Sequence, residues 1–362
     1  MPPEAQHSHD PAVPRPRTGG NPGRLLRRAP LLLTAALASF APAAGHPPAE
    51  AAGDNGSCGR LHPPLAATFS IVAYDPDARE LGVAVQSHWF SVGSLVPWAE
   101  YGVGAVATQS VVEVSYGPEG LRLLREGKSP EEALKTLTAA DPERDVRQVG
   151  IIDARGRSVS WTGKGCISYA GHHTGKNYAA QGNLLASPEV WEAVGKAFET
   201  TRGSLAERLV AALGAGQGAG GDARGMQSAA LLVVGPGEPG KPWTERKIDL
   251  RVEDHPSPIA ELKRLLKLRR AYTLADEGDQ YVAQKKFEEA FRAYDQALEL
   301  APGNDELMFW RASMLMQAGK ADEAVADVRR ALAINPRWLK LLERLTPEQF
   351  PGASEILKRL RH

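Results

Sequence analysis

The stretch TFSIVAYDPDARELGVAVQS, residues 68–87, decides how the first half of the chain folds. Both of its ends, TFSIVAYD and ELGVAVQS, are rich in β-branched and aromatic residues, and the polar segment PDAR separates them. Two such runs joined by a short turn predict a β-hairpin. The nearby run YGVGAVATQ predicts a third strand, whose glycines allow close packing.

Helix and strand signals then alternate along the chain. Ser129, Pro130 and Glu132 form a capping-box pattern with proline at the first helical position, and RQVGIID and SVSWTG predict a second hairpin. Ser187-Pro188 and Ser204 with Glu207 predict two more helix starts, before the strands SAALLVVG and KIDLRVED. Two sheets packed face to face and covered by helices on both outer faces satisfy this order. We therefore predict an α+β domain with a four-layer αββα sandwich.

The C-terminal part is an internal repeat. EEAFRAYDQALELAP (288–302) and DEAVADVRRALAINP (322–336) match at an offset of 34 residues, with Ala, Ala and Pro at equivalent positions. This period, with small residues where helices cross, is typical of the tetratricopeptide repeat. We predict an all-α repeat domain, completed by a helix ahead of the first copy and one around Trp338–Leu345.

The N-terminal segment has the pattern of an export signal. Three arginines, at positions 24, 27 and 28, precede the apolar run APLLLTAALASFAPAA (29–44), which ends in small residues. This pattern predicts a secretory signal peptide, and the run is too short and too proline-interrupted for a membrane span. We expect an exported protein, periplasmic or extracellular, with no membrane span in its mature form. The predicted organisation is 1–44 disordered N-terminus and signal peptide, 45–66 linker or propeptide, 67–255 sandwich domain and 256–362 helical domain.

Charge and cysteine content bear on the expected partners of the protein and on whether it forms a disulfide. Lys+Arg and Asp+Glu both number 43, so no strongly basic face is implied overall and nucleic acid is not an expected partner. The two cysteines, Cys58 and Cys166, either form one disulfide in an oxidising compartment or are two unrelated thiols.

Several long motifs in the first domain carry a family resemblance. TFSIVAYDP, GVAVQSHWFSVGSLVPWAEYGVGAVATQS, AGHHTG, QGNLLA and GGDARGMQSAALLVV resemble the domain of unknown function 1028 family. That family is placed in the N-terminal-nucleophile (Ntn) hydrolase superfamily, which has an αββα sandwich. The resemblance implies the same fold and an amide-hydrolysing reaction class, with the substrate left open.

The resemblance implies a nucleophilic role for Thr68. In such hydrolases the side chain of the first residue attacks a carbonyl, and its α-amine, with a pKa of about 7.7–8.0, takes the proton. Thr68 instead follows 67 residues, so the Ala67–Thr68 bond must be cut, by a protease or by Thr68 itself. Otherwise Thr68 only begins a strand, and Ser70 is a rival hydroxyl.

Other polar residues are candidates for the same site. Ser87 and His88 end the second strand and either tune the nucleophile or are strand-end residues without such a role. Gln181 and Asn183 either donate amide N–H groups to an oxyanion or fix a turn. The glycine-rich loop residues Asp222, Arg224 and Ser228 form either a loop-holding ion pair or a clamp on a substrate carboxylate.

No metal or cofactor is expected. The adjacent His172 and His173 do not easily share one metal, and no HExxH or CxxC spacing accompanies them. Cys166 near these histidines raises the alternative of a Cys–His pair. The glycine run 214–221 lacks the GK[ST] ending of a phosphate-binding loop.

The sequence thus supports two functional hypotheses from different classes. The first is an exported amidohydrolase that acts on a small molecule or peptide through Thr68. The alternative is a non-catalytic binding or scaffold protein of the cell envelope. The repeats predict either a protein partner, packing onto the first domain, or a homo-oligomer.

Overall fold

The computed structural model describes residues 65–66 and 68–361. The predicted signal peptide, Cys58 and Ala67 lie outside these residues, so the export, disulfide and processing hypotheses stay predictions. In the part that is described, no helix combines the length and the apolarity needed to cross a bilayer.

Two antiparallel sheets form the centre of the first domain. Their strands are β1 (Leu65–Ala66), β2 (Thr68–Asp75), β3 (Glu80–Ser87), β4 (Pro97–Glu100), β5 (Gly104–Val111), β6 (Arg147–Asp153), β7 (Ser158–Thr162), β8 (Gly171–Gly175), β9 (Tyr178–Asn183), β10 (Ser228–Val234) and β11 (Arg246–Val252). The first sheet has the order β1-β5-β6-β7, with β4 also paired to β5, and the second has the order β11-β10-β3-β2-β9-β8. Both predicted hairpins, β2–β3 and β6–β7, are confirmed, whereas β1, β4, β8 and β9 were not predicted.

Helices follow the strands in the predicted alternation. They are α1 (Tyr116–Arg125), α2 (Pro130–Ala140), α3 (Val190–Thr200), α4 (Leu205–Gly218), α5 (Pro258–Ala283), α6 (Phe287–Leu300), α7 (Asp305–Gln317), α8 (Ala321–Ile334), α9 (Arg337–Leu342) and α10 (Ala353–Leu360). Both predicted capping boxes form, because Ser129 and Ser204 each exchange hydrogen bonds with the glutamate three residues later.

The helix predicted to open at Ser187-Pro188 begins later, at Val190. Ser187 does not cap it. Its Oγ instead accepts the Glu189 N–H at 3.2 Å and lies 2.9 Å from the Ala219 carbonyl oxygen, to which the hydroxyl can donate. Ser187 therefore joins this turn to the end of α4.

The elements stack in four layers. Helices α1 and α2 cover the outer face of the first sheet, where Leu121 and Leu137 pack with Val149. Helices α3 and α4 cover the outer face of the second sheet, where Phe198 and Leu209 lie in one apolar core with Phe69, Ile71 and further strand residues. A third apolar core, which includes Val83 and Ile152, lies between the sheets. The predicted αββα sandwich is confirmed.

Helix α5 belongs to both halves of the chain. Near its start, fully buried Leu262 lies in the core under the second sheet. Further along, Ala271 and Ala275 lie in the core of the repeat region. A single helix of 26 residues thus serves as cover for the sandwich and as the first helix of the repeats.

The repeat region packs around small side chains, as its sequence predicted. Ala290, Ala297, Ala324 and Ala331 are all fully buried where α6 and α8 meet their neighbours. Small residues allow helix axes to approach closely. Beyond α8, the short helices α9 and α10 complete the core.

Candidate functional site

A row of polar side chains crosses the second sheet at one end. Asn183 lies opposite Thr68, Thr68 lies opposite Ser87, and Ser87 lies opposite Ser228. Residues directly opposite in antiparallel strands project to the same face. All four residues are buried, so strand register alone assembles four of the eight candidate site residues.

Thr68 is fully buried at the head of β2. Its hydroxyl donates to Ser87 Oγ at 3.1 Å, and its carbonyl oxygen accepts from Gln109 Nε2 at 3.2 Å. Just ahead of it, β1 pairs with β5 of the other sheet, with Ala66 opposite Ser110. The chain therefore crosses from one sheet to the other between Ala66 and Thr68, and the Thr68 nitrogen is an amide in the intact chain.

A second row of polar groups lies deeper between the sheets. The Ser70 hydroxyl donates to Gln109 Oε1 at 2.5 Å and accepts from Gln181 Nε2 at 2.6 Å. Gln181 Oε1 in turn accepts from Ser160 Oγ at 3.3 Å. Gly150 makes room for this amide, because a Cβ there would lie 2.3 Å from Gln181 Oε1.

The Gln148 side chain links Gln109 and Asn183, through hydrogen bonds, to the half-buried Thr162. Its Nε2 faces the carbonyl oxygens of Gly182 at 2.8 Å and Gly171 at 3.1 Å, and Thr162 Oγ1 at 2.8 Å. Because carbonyl oxygens only accept hydrogen bonds, these contacts fix which end of the Gln148 amide is nitrogen. Its Oε1 accordingly accepts from Gln109 Nε2 at 2.7 Å and from Asn183 Nδ2 at 2.9 Å.

Asn183 is left with one unsatisfied atom. Its Nδ2 is committed to Gln148, while its Oδ1 is buried with no hydrogen-bond partner in the described part of the chain. Buried polar atoms without partners are uncommon and call for a physical account. One N–H of each predicted oxyanion donor, Asn183 Nδ2 and Gln181 Nε2, is thus used in a hydrogen bond to Gln148 or Ser70, and Asn183 also offers an acceptor beside Thr68.

The loop after α4 is tied to the end of β3. The Asp222 carboxylate accepts the His88 N–H at 3.0 Å and the Arg224 N–H at 2.9 Å, and it pairs with the Arg224 guanidinium at 2.9 Å. His88 Nδ1 lies 3.3 Å from the Met226 carbonyl oxygen. These contacts fit the loop-holding role of the Asp222–Arg224 pair.

Ser228 also ties segments together. Its hydroxyl donates to the Trp89 carbonyl oxygen at 2.5 Å and accepts the Val92 N–H at 3.1 Å. It therefore fixes the loop that follows His88, at the edge of the polar row.

The two adjacent histidines point in different directions. His172 Nδ1 lies 2.9 Å from Thr162 Oγ1, whereas His173 pairs with Glu192 at 3.1 Å. Neighbouring residues of a strand project to opposite faces, which explains the divergence. Partial burial lowers the pKa of His172, and the nearby His173 lowers it further. In the described part of the chain, no group of three His, Cys, Asp or Glu side chains could hold a metal ion.

A cavity of 480 Å³ opens beside His172, and Cys166 lies on its wall. The Cys166 thiol donates to the Arg147 carbonyl oxygen at 3.3 Å, and burial raises the pKa of the thiol above its usual range. A raised pKa leaves little thiolate at neutral pH, so the environment of Cys166 does not favour nucleophilic chemistry.

Gln109, Gln148 and Ser160 were missed by the sequence reasoning. Gln148 occupies an inward position in the largely apolar run RQVGIID, whereas Gln109 and Ser160 lie in strands that carry further polar residues, GAVATQSV and SVSWT. A glutamine at such a position was the available signal, because a buried amide needs partners on the facing sheet.

The fold and this site define a four-layer sandwich with a polar network between its sheets, followed by helical repeats. Residues 68–262 match the model of a family of unknown function, DUF1028. The chain belongs to this family. A crystal structure of a DUF1028 protein from Silicibacter pomeroyi is 33% identical, has a TM-score of 0.51, and aligns over 56% of this chain and 85% of that one.

The repeat region has its own relatives. Residues 281–345 match a tetratricopeptide-repeat model, which confirms the repeat prediction. Similar curated proteins include the STIP1 homolog of Dictyostelium discoideum, 29% identical over 20% of this chain. They also include the heat-shock protein cognate co-chaperone sgt12 of Aspergillus fumigatus, 31% identical over 22% of this chain. The chain spans only 13% and 24% of the length of these two relatives.

Proposed function

We propose that the sandwich domain is an exported amide hydrolase of the N-terminal-nucleophile type, in which Thr68 acts once the chain ahead of it has been removed. The observation that carries the proposal is the position of Thr68. It begins a central strand of an αββα sandwich, with its hydroxyl 3.1 Å from Ser87 at the end of a buried polar network. The signal-peptide pattern of residues 24–44 supports export.

The proposed reaction uses two groups of one residue. The α-amine exposed by cleavage takes the hydroxyl proton of Thr68, and Oγ1 attacks the substrate carbonyl carbon. The amine of the substrate leaves with that proton, and an ester remains on Oγ1. Water then hydrolyses this ester and restores the hydroxyl. Because the Thr68 hydroxyl proton goes to the amine, the hydrogen bond to Ser87 would reverse in this step, with the Ser87 hydroxyl donating to Thr68 Oγ1 and holding it in place.

Within this proposal, Asn183 orients the amine. Cleavage would turn the amide nitrogen of Thr68 into an amine with additional hydrogens, directly across the strand pair from Asn183. Asn183 Oδ1 is the buried acceptor that lacks a donor in the described residues. A hydrogen bond from the amine to Oδ1 would satisfy that atom and direct the nitrogen lone pair toward Oγ1. We therefore assign Asn183 Oδ1 an acceptor role toward the amine.

The experiment compares chains that differ at one N-terminal residue. A cleavable fusion releases one chain that begins at Thr68 and another that begins at Ala67. Both are treated with a β-lactone, which acylates activated hydroxyls, and are then analysed by intact mass and peptide mapping. The proposal expects one adduct, on Thr68, in the first chain alone. A Ser70→Ala variant of the first chain serves as the matched hydroxyl control and keeps the adduct.

Two outcomes would reject the proposal. One is equal labelling of the two chains, which would show that the α-amine is not needed. The other is no labelling of a folded chain that begins at Thr68. N-terminal sequencing of the exported protein gives the natural start, and a start near Gly45 argues for a binding role.

The second candidate function is a non-catalytic protein-interaction role. It is supported by the tetratricopeptide match and by the similarity to the co-chaperone sgt12 of Aspergillus fumigatus. The full burial of Thr68 in the intact chain is compatible with this role. The two functions are not exclusive, since the repeats could bring the hydrolase to a protein partner.

A further inference from the structure

A large cavity lies where the sandwich meets the repeat region. Its volume is 1190 Å³, and it is lined by residues of α4, β11, α5 and the end of α6. Seven of its lining residues are lysine or arginine and four are acidic. The chain as a whole has no net charge, so this excess of positive charge is local.

Helix α5 supplies most of the positive charge. Lys263, Lys267 and Arg270 are spaced by four and three residues, which places them along one side of the helix. Lys263, Lys267 and Arg269 are exposed, and none of them forms an ion pair within residues 68–361. Lys263 and Lys267, four residues apart, repel one another, so a bound anion would relieve that repulsion.

Other cations of the cavity already face acids. Arg264 pairs with Glu261 at 2.6 Å and Arg246 pairs with Asp249 at 2.8 Å. Arg270 lies near Glu207, whose pKa is lowered first by hydrogen bonds from Ser204 and also by that guanidinium. Lys247 interacts electrostatically with Glu80. The unneutralised charge of α5 is therefore concentrated at Lys263, Lys267 and Arg269.

The cavity is also partly apolar. Ile248, Leu266 and Leu300 line it together with the cations. Thr244 lines it as well, and the preceding residue, Trp243, is 73% exposed. Arginine and exposed tryptophan are enriched in protein–protein interfaces, where an apolar centre is surrounded by charged groups.

We propose that this cavity binds an acidic segment of a partner protein, one that carries apolar side chains between its carboxylates. The lining residues of α5 extend from Lys263 to Gln280, about 25 Å along the helix axis. An extended segment of about eight residues spans that length. The apolar lining favours a peptide over a nucleic acid, whose phosphates would match the charge alone. This inference is independent of the proposed chemistry at Thr68.

The test uses the full chain and a defined probe. The probe is a fluorescein-labelled peptide of alternating glutamate and leucine, about eight residues long, and its binding is followed by fluorescence anisotropy at low and high salt. The groove variant carries Lys263→Glu and Lys267→Glu. The control variant, Lys135→Glu with Lys176→Glu, makes the same charge change at exposed positions on α2 and on the turn between β8 and β9. Circular dichroism verifies that both variants are folded.

The expected result is binding that weakens as salt rises, at least about tenfold weaker in the groove variant and within about twofold of the parent in the control. An equal loss in both variants would overturn the proposal, because it would indicate non-specific attraction. Absence of binding at about millimolar peptide would also overturn it. So would tighter binding of a labelled single-stranded oligonucleotide that the groove variant abolishes, since the occupant would then be a nucleic acid.

Discussion

Replacement of Gln148 by methionine would test the polar network between the two sheets. Methionine has nearly the volume of glutamine but offers only a weak acceptor. In the wild type, the Gln148 amide faces three acceptors and receives two donors, at distances between 2.7 and 3.1 Å. Gln148 is fully buried, so water cannot replace these partners without entering the core.

The size of the expected stability loss follows from the groups that lose their hydrogen-bond partner when Gln148 is replaced. Gln109 Nε2 keeps the Thr68 carbonyl, and Thr162 keeps His172. Asn183 Nδ2 has no other hydrogen bond in the described residues, and the Gly171 and Gly182 carbonyl oxygens each lose a donor. Each stranded buried group costs about 1–3 kcal/mol, and the buried methionine side chain offsets a part of this. We expect the free energy of unfolding to fall by about 2–4 kcal/mol.

Urea unfolding followed by tryptophan fluorescence measures this change, and hydrogen exchange of β6 and β9 localises it to the sandwich. Gln280→Met, at an exposed position of α5, is the matched control and should change stability by less than about 0.5 kcal/mol. A loss below about 1 kcal/mol for Gln148→Met would refute the reasoning, because the network would then not be a coupled set of buried hydrogen bonds.

Two further predictions concern packing and pH. Gly278→Ala in α5 would place a Cβ 2.7 Å from the Tyr294 ring, which a hydrogen bond from its hydroxyl to Asp279 holds in place. We expect a net loss of about 1–2 kcal/mol in urea unfolding. Gly214→Ala in α4, where a Cβ meets nothing within 4 Å, should instead stabilise the protein by up to about 1 kcal/mol, and a gain at both positions would contradict this packing. Burial raises the pKa of Asp141, but hydrogen bonds from Arg147, the Glu143 N–H and Tyr116 outweigh it and hold the pKa below its ordinary value. The stabilisation from its carboxylate is therefore present above an unfolded-state pKa of about 3.9 and is lost as pH falls through the folded-state pKa. Asp141→Asn should accordingly lower stability near neutral pH and flatten its decline below about pH 4, and an unchanged slope would contradict the assignment.

Part of the site could be predicted from the sequence, because the local residue pattern of a hairpin sets the register between its two strands. The hairpin of residues 68–87 places Thr68 opposite Ser87, and both candidates are indeed hydrogen-bonded. Asn183 was expected in a possible turn, yet it lies at the end of β9 beside Thr68. A one-residue error in strand register would have moved its side chain to the other face, so spacing alone could not locate it.

The hydrogen-bond partners of the Gln181 and Asn183 amides depend on how the second sheet faces the first. Gln181 and Asn183 carry the donors expected for an oxyanion, and one N–H of each is used in a hydrogen bond to Ser70 or Gln148. Gln148 is 35 residues from Asn183 in sequence, and no local pattern encodes such a pairing. Only the packing of the two sheets decides which amide atoms are satisfied.

The hairpins, the capping boxes and the 34-residue repeat could be predicted without a structure, since each depends on residues close together along the chain. Three further features depend on how the layers pack. The packed structure buries Thr68 completely, leaves Asn183 Oδ1 without a partner in the described residues, and extends α5 from the sandwich into the repeats. The physical reason is that burial and hydrogen-bond satisfaction depend on groups brought together from distant segments, which only the packed layers specify.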